Sequence, residues 1–112
     1  MAYPVDGKII RTYAKGKNNG VDFKAAVGTP IEAAADGKVA AITTDADNVK
    51  IVVLRHPNNL MTVYYNVADV SVSKGTSVKR GQSLGKIPAK DSYVHFEVRK
   101  GFDSVDPMPY LE

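Results

Sequence analysis

Short apolar stretches recur along the chain at intervals of roughly eight to twelve residues, which is typical of an all-β domain. Gly, Pro and an Asn-Asn pair separate these stretches, and no segment has a helical period. The pair Asn58-Asn59 lies between two strongly apolar stretches and predicts a hairpin turn. The pattern therefore predicts an all-β fold of mostly antiparallel sheets, with strands at residues 8–12, 21–24, 30–33, 37–43, 49–55, 60–67, 84–87 and 93–100.

One sequence motif occurs twice. GTPI at residues 28–31 leads to GKV at 37–39, and GTSV at residues 75–78 leads to GKI at 85–87. We interpret the repeat as two similar β-hairpin halves that pack into a β-sandwich or flattened barrel. A chance similarity between two glycine-rich turns is the alternative.

The stretch at residues 93–100 alternates between apolar and other side chains. Positions 94, 96 and 98 are apolar and are expected to face the core, so Tyr93, His95 and Arg99 lie together on the opposite face. Three ordinary half-exposed strands, at residues 21–24, 60–67 and 93–100, would also explain such patterns. The same alternation elsewhere separates Asp22 and Lys24 from Val21 and Phe23, and Thr62, Tyr64 and Asn66 from Met61, Val63 and Tyr65.

Composition limits the chain to a single compact domain, residues 1–112, and narrows its function. Its hydrophobic content of 44% and charged content of 24% are ordinary for a globular protein, and 112 residues leave no room for a second core. The net charge of +3 comes from charges that alternate in sign, and aromatic residues do not interleave the basic ones. Nucleic-acid binding is therefore not expected.

The chain contains no cysteine, which excludes disulfides and thiolate metal sites. No apolar run is long enough to span a membrane, and the N-terminus lacks a signal-peptide pattern. The opening MAYP is typical of a domain boundary. We expect any targeting segment to lie outside these residues.

Motifs along nearly the whole chain resemble, in the same order, those of the lysostaphin-like (LytM-type) peptidase domain. NNGVDF at residues 18–23 and GTPIEAAADGKV at 28–39 are similar to the family's H-x-x-x-D and G-T-P-V-x-A-x-x-D-G-x-V motifs. TVYYN at 62–66 is similar to its T-x-Y-x-H strand, and KGTSVKRGQ at 74–82 to its x-G-x-x-V-x-x-G-Q turn. YVHFEVR at 93–99 is similar to H-x-H-F-E-V-R, and the C-terminal VDP and YL to V-N/D-P-x-x-Y-L. The resemblance implies an antiparallel β fold with an open groove across the sheet.

The residues that the active family members use for zinc are largely replaced. The three ligand positions hold Asn18, Asp22 and His95, and the two catalytic histidine positions hold Asn66 and Tyr93. A neutral amide replaces imidazole poorly as a zinc ligand, and neither Asn nor Tyr transfers protons near neutral pH as histidine does. The resemblance therefore implies that the zinc site is lost, that no cofactor is bound, and that no peptide bond is cleaved.

Two further segments bear on the site. KIPAKDS at residues 86–92 replaces the Gly/Ser/Thr-rich loop that forms one wall of the substrate groove in active members. We therefore do not expect the groove to hold a peptidoglycan stem peptide. His56, the only other histidine, precedes Pro57 at a hairpin entry and is expected to be exposed.

The resemblance to non-catalytic members of the family implies a bacterial protein of the periplasm or another extracytoplasmic site. Such members bind and activate an N-acetylmuramyl amidase in cell division and envelope maintenance. Arg99 is our leading candidate for a contact with a partner carboxylate, and a solvated charge at a strand end is the alternative. By position, the partner-binding groove would be lined by Asn18, Asn19, Asp22, Tyr64, Asn66, Tyr93, His95 and Arg99.

Three other functions compete with this hypothesis. The domain could bind peptidoglycan directly without a protein partner, or it could be a weakened zinc endopeptidase. A biotinyl- or lipoyl-carrier domain shares the V-x-x-G-Q turn. The carrier reading is disfavoured because the chain has no lysine in an M-K-M or D-K-A context.

Overall fold

The computed structural model describes all 112 residues. It contains ten β-strands and one 3-10 helix, which confirms the all-β prediction. It contains no helix with the length and apolar character needed to cross a bilayer. The helix is Met108–Tyr110, and the strands are β1 (Lys8–Arg11), β2 (Val21–Lys24), β3 (Pro30–Glu32), β4 (Gly37–Thr44), β5 (Lys50–His56), β6 (Leu60–Tyr65), β7 (Ser77–Val78), β8 (Ser83–Lys86), β9 (Tyr93–Lys100) and β10 (Asp103–Val105).

The strands form two antiparallel sheets, as predicted. The eight-stranded sheet has the order β1-β2-β9-β6-β5-β4-β7, and β10 also pairs with β9. The second sheet contains only β3 and β8. Neither sheet closes on itself, so the open arrangement is the one that forms and the flattened barrel is not.

Strand boundaries follow the apolar pattern closely where strands are long. β2 and β9 begin and end at the predicted residues, whereas β7 and β10 were not predicted because two or three residues carry too little alternation. The predicted strand at residues 60–67 ends at Tyr65. Asn66 has a φ of 86°, a left-handed conformation that no strand residue adopts, and it turns the chain out of the sheet.

The repeated motif forms an interlocked pair of units rather than two hairpins. β3 of the first copy pairs with β8 of the second, and β4 of the first pairs with β7 of the second. Ile31 on β3 and Val39 on β4 are both buried in the common core. The two strands of one copy approach that core from different sheets, so they cannot be neighbours in a hairpin, and the hairpin interpretation is wrong.

The core is a single cluster of 17 buried residues from both sheets. Its aromatic centre is Tyr64, Phe96 and Phe23, with ring centroids 5.4 Å apart for the first pair and 6.5 Å for the second. Tyr64 has no exposed surface, and burial raises its pKa to about 12. It pairs across strands with Phe96, which fixes its side chain on the core face. The assignment of Tyr64 to the groove is therefore wrong.

His56 is buried, so the prediction that it lies exposed in a loop is also wrong. β5 continues through this residue and leaves its side chain only 6% exposed. One ring nitrogen lies 2.7 Å from the Asp36 carbonyl oxygen and the other 2.7 Å from the Thr62 hydroxyl. The Thr62 hydroxyl is 2.9 Å from that of Tyr64, which accepts a hydrogen bond from the Ala34 amide. This chain of polar groups satisfies His56 inside the core and ties β5 and β6 to the segment before β4.

Candidate functional site

The candidate site lies on the face of β9 that points away from the core. Val94, Phe96 and Val98 are fully buried, which confirms the predicted alternation along this strand. His95 lies on the other face, with Asp22 of β2 as its cross-strand neighbour on one side and Tyr65 of β6 on the other. The antiparallel register therefore brings together residues that are far apart in the sequence.

His95 is held between two carboxylates. Its Nδ1 is 2.5 Å from Oδ1 of Asp22, and its Nε2 is 2.8 Å from Oε2 of Glu97. The other carboxylate oxygen of Glu97 accepts hydrogen bonds from Nε and Nη2 of Arg99, at 2.9 and 2.7 Å. We call these four side chains, Asp22, His95, Glu97 and Arg99, the charge quartet.

The quartet favours a protonated imidazole. Burial disfavours the charged ring, but the hydrogen bonds to Glu97 and Asp22 outweigh it and raise the pKa of His95 above its ordinary value. Burial likewise opposes ionisation of Glu97, yet hydrogen bonds from His95 and Arg99 lower the pKa of that carboxyl. With His95 charged, two positive and two negative groups balance and every buried charge has a partner.

Stability should therefore depend on pH through His95. A histidine with a raised pKa in the folded state contributes stability fully below its ordinary value of 6.5 and loses it as pH rises through the folded pKa. Glu97 acts in the opposite sense, because its stabilisation is present above its ordinary value of 4.5 and is lost as pH falls through its lowered pKa. Urea unfolding between these limits and at mildly alkaline pH, below the range in which tyrosine ionises, should show the wild-type protein losing stability at the alkaline end. His95→Gln should lack that loss, and a parallel decline in both proteins would contradict the assignment.

The residues at the family's zinc positions do not fit that metal. Both ring nitrogens of His95 are bonded to carboxylates, and Asn18 is 6% exposed with its amide nitrogen donating to the Thr12 carbonyl at 3.0 Å. No group of three or more His, Cys, Asp or Glu side chains is arranged to hold a metal ion. Asp22 serves as a hydrogen-bond acceptor for His95.

The other predicted site residues have different positions. Asn66 donates through its side-chain nitrogen to the carbonyls of Asp91 and Tyr93, each at 2.8 Å, so it fastens the loop before β9 to the end of β6. Tyr93 is half-buried at the start of β9. Asn19 is exposed, and neither it nor Asn18 hydrogen-bonds to the quartet. The sequence-based set is therefore brought together only in part.

Arg99 binds Glu97 within the same strand, so it does not stand alone in the groove. Two of its nitrogens already bind Glu97, and Nη1 lies 3.4 Å from the Phe102 carbonyl oxygen. Its side chain is 35% exposed, compared with 11% for Glu97. Arg99 therefore holds Glu97 in position.

An apolar surface beside the quartet was missed by sequence reasoning. Val63 lies between Val53 and Glu97 in the sheet, and Met61 pairs with Arg99. A cavity of about 280 Å³ is lined by Val53, Met61, Val63, Arg99, Gly101 and Phe102, and the Phe102 side chain is 95% exposed. The sequence MTVYY has apolar residues on both faces, so alternation alone could not show which face is open.

A larger cavity of about 870 Å³ lies at the other end of the same face. Asp45, Tyr65, Asn66, Asp91 and Tyr93 are among its lining residues. The Tyr65 hydroxyl donates to Asp45, and this hydrogen bond lowers the pKa of that carboxyl. We call the face that carries these two separate cavities the groove. Its Phe102 end is lined mostly by apolar residues, and its Asn66 end includes Asp45, Asn66 and Asp91.

Comparisons with known proteins identify a family and a fold that match the structure described above. A family model described as Peptidase family M23 matches residues 16–107. The Escherichia coli lipoprotein YgeR is 34% identical over 97% of this chain and 46% of its own length. The E. coli murein hydrolase activator NlpD is 29% identical over 97% of this chain and 30% of its own length. A zinc-containing peptidase from Vibrio cholerae superposes with a TM-score of 0.87 at 28% identity, covering 95% of this chain and 38% of that one. The chain thus spans less than half the length of these relatives.

Proposed function

The chain belongs to peptidase family M23, and from that premise we propose that it is a non-catalytic member that binds and activates a murein hydrolase at the bacterial cell envelope. We further propose that the hydrolase is an N-acetylmuramyl amidase. The observation that carries the non-catalytic part of the proposal is the charge quartet. His95 uses both ring nitrogens to hold Asp22 and Glu97, so the residues at the family's metal positions serve to stabilise the fold.

The two positions of the catalytic histidines also lack an imidazole in this chain. Asn66 and Tyr93 occupy the positions that hold histidines in active members. The side-chain amide of Asn66 donates hydrogen bonds to two backbone carbonyls. A groove without these two histidines can still bind a partner. Its exposed Phe102 beside a small apolar cavity is the kind of anchor that dominates protein–protein interfaces.

The relatives support the assignment of a partner and a location. NlpD is named a murein hydrolase activator, and YgeR is named a lipoprotein. The first name suits a role in regulating cell-wall enzymes, and the second suits a location at the cell envelope. This chain matches only part of each relative. The activating role is therefore proposed for the matched domain and not for a longer protein.

An amidase-stimulation assay tests the proposal. Dye release from labelled sacculi by a purified amidase should rise when the domain is added. The effect should persist when the domain has first been treated with a chelator that is then removed, since the amidase keeps its own zinc. Release of peptides by the domain alone, abolished by chelation and restored by zinc, would instead show an endopeptidase. Sedimentation with sacculi and no stimulation would show a wall-binding module.

Phe102→Ala should weaken amidase binding by at least about tenfold, because an exposed aromatic anchor commonly contributes more than about 1.4 kcal/mol. The residue is 95% exposed, so the fold should be unaffected. Val27→Ala provides a matched control, because Val27 is also apolar and exposed but does not line either groove cavity. Calorimetric titration of both variants against the amidase gives the comparison, and equal affinities would exclude the Phe102 end of the groove from the interface.

A further inference from the structure

β1 leaves one edge of the large sheet open. It is the terminal strand, pairs only with β2, and all four of its residues are exposed. Ile9 and Ile10 are 37% and 53% exposed, which is unusual for isoleucine. The backbone amides and carbonyls of an edge strand are available to pair with another extended chain.

A shallow pocket adjoins this edge and provides room for side chains. Its volume is about 460 Å³, and it is lined by Ile9, Ile10, Arg11, Thr12, Ala14, Lys17 and Asn18. The surface is separated from β9 by β2, so it is distinct from the groove described above. It combines open backbone, apolar side chains and a neighbouring depression, which are the parts of a strand-binding site.

The charges around the edge are strongly biased. Five basic residues lie on or near β1, and no ion pair forms with any of them: Lys8, Arg11, Lys15, Lys17 and Lys24. The acidic residues in the same part of the chain are Asp6, which is exposed, and Asp22, which is buried and bonded to His95. The local field is therefore positive and favours an acidic ligand.

We propose that the open edge of β1 binds an acidic polypeptide segment in an extended conformation, which adds a strand to the sheet. A second copy of this chain is a poor occupant. Antiparallel pairing of two β1 strands would set Lys8 of one against Arg11 of the other, and like charges on paired strands repel. An acidic strand would instead place carboxylates opposite Lys8 and Arg11, and these opposite charges attract.

The test uses synthetic peptides and NMR of the isotopically labelled protein. The probe is a capped peptide of alternating glutamate and valine, and the controls are a lysine–valine peptide and a glutamate peptide with proline at alternate positions. We expect the glutamate–valine peptide to shift the amide signals of Lys8–Arg11 and to bind more weakly as salt is added. The proline peptide should not produce these shifts, because proline cannot donate a backbone hydrogen bond.

Charge reversal provides the second arm. The double variant Lys8→Glu, Lys17→Glu should bind the glutamate–valine peptide about tenfold more weakly, since it removes two attractions and adds two repulsions. Arg11 is left intact because it pairs across strands with Asp22. Lys74→Glu, an exposed residue in a turn elsewhere, is the matched control and should bind normally.

Three results would overturn the proposal. Equal binding of the proline peptide would show that charge alone attracts the ligand. Absence of shifts on β1 at millimolar peptide would show that the edge does not accept a strand. Concentration-dependent dimerisation through β1 without peptide would make a second copy the occupant. None of these results bears on amidase stimulation, which tests the groove.

Discussion

Replacing Glu97 with alanine is expected to lower the free energy of unfolding by about 3 kcal/mol, because removal of one member of a buried ion pair leaves its partners uncompensated. Glu97 is the central acceptor of the quartet and binds both His95 and Arg99. Its side chain is 11% exposed, so water cannot fully replace the lost carboxylate. His95 would keep only Asp22 as a partner, and its pKa should fall towards the ordinary value.

Chemical unfolding and an NMR titration of the His95 ring measure the two effects together. Glu32→Ala is a suitable control, because Glu32 is half-buried but makes no side-chain hydrogen bond or ion pair. Glu97→Gln keeps the shape and removes the charge, so it should be less destabilising than alanine while still lowering the pKa of His95. A Glu97→Ala protein as stable as the Glu32→Ala control would mean that the quartet contributes little to the fold.

The strands that carry the site were predictable, but the contacts between their side chains were not. β2 and β9 are strongly patterned, and the resemblance identified Asp22 and His95 as remnants of one site. The two residues are 73 positions apart, and only the antiparallel register shows that they bind each other directly. The alternation along residues 93–100 puts Glu97 on the same face as His95, yet no local pattern indicates that it binds the second ring nitrogen of His95.

The errors in the predicted site have a common physical origin. Assigning Tyr64 to the groove required knowing which face of β6 is covered, and that depends on its pairing with Phe96 on β9. The exposure predicted for His56 assumed that β5 ended before it, whereas a buried hydrogen bond to Thr62 stabilises one more residue of strand. In both cases the burial of the side chain is decided by pairing with another strand, and the periodicity of a single strand does not reveal that pairing.

On one side of β9 the neighbouring strand changes at Glu97. β2 pairs with β9 as far as Val21 opposite Phe96, and β10 takes over with Val105 opposite Val98. Glu97 lies between these two pairings, at the point where β9 changes its neighbour. The position of Glu97 therefore depends on how closely the first residue of β2 approaches β9.

Gly20→Ala should separate β2 from β9 and destabilise the fold by about 3 kcal/mol, the upper part of the usual range for overpacking. A Cβ at this position would lie 2.2 Å from the Phe96 carbonyl oxygen and 2.9 Å from Cγ of Glu97. Phe96 is held on both sides, by Val21 of β2 and Tyr64 of β6, so its carbonyl cannot move alone. The start of β2 has to shift instead.

Gly16→Ala is the matched control. Gly16 has a φ of +79° but open space where a Cβ would lie, so alanine there should cost only about 1 kcal/mol of backbone strain. Denaturant unfolding gives the two costs, and the His95 ring signal reports whether the bond to Asp22 survives. If Gly20→Ala were no more destabilising than Gly16→Ala and left that signal unchanged, the close approach of β2 to β9 would not be what holds the quartet together. If Gly20→Ala alone loses the signal, then the missing side chain at position 20 is what allows Asp22 and Glu97 to reach His95 from opposite sides.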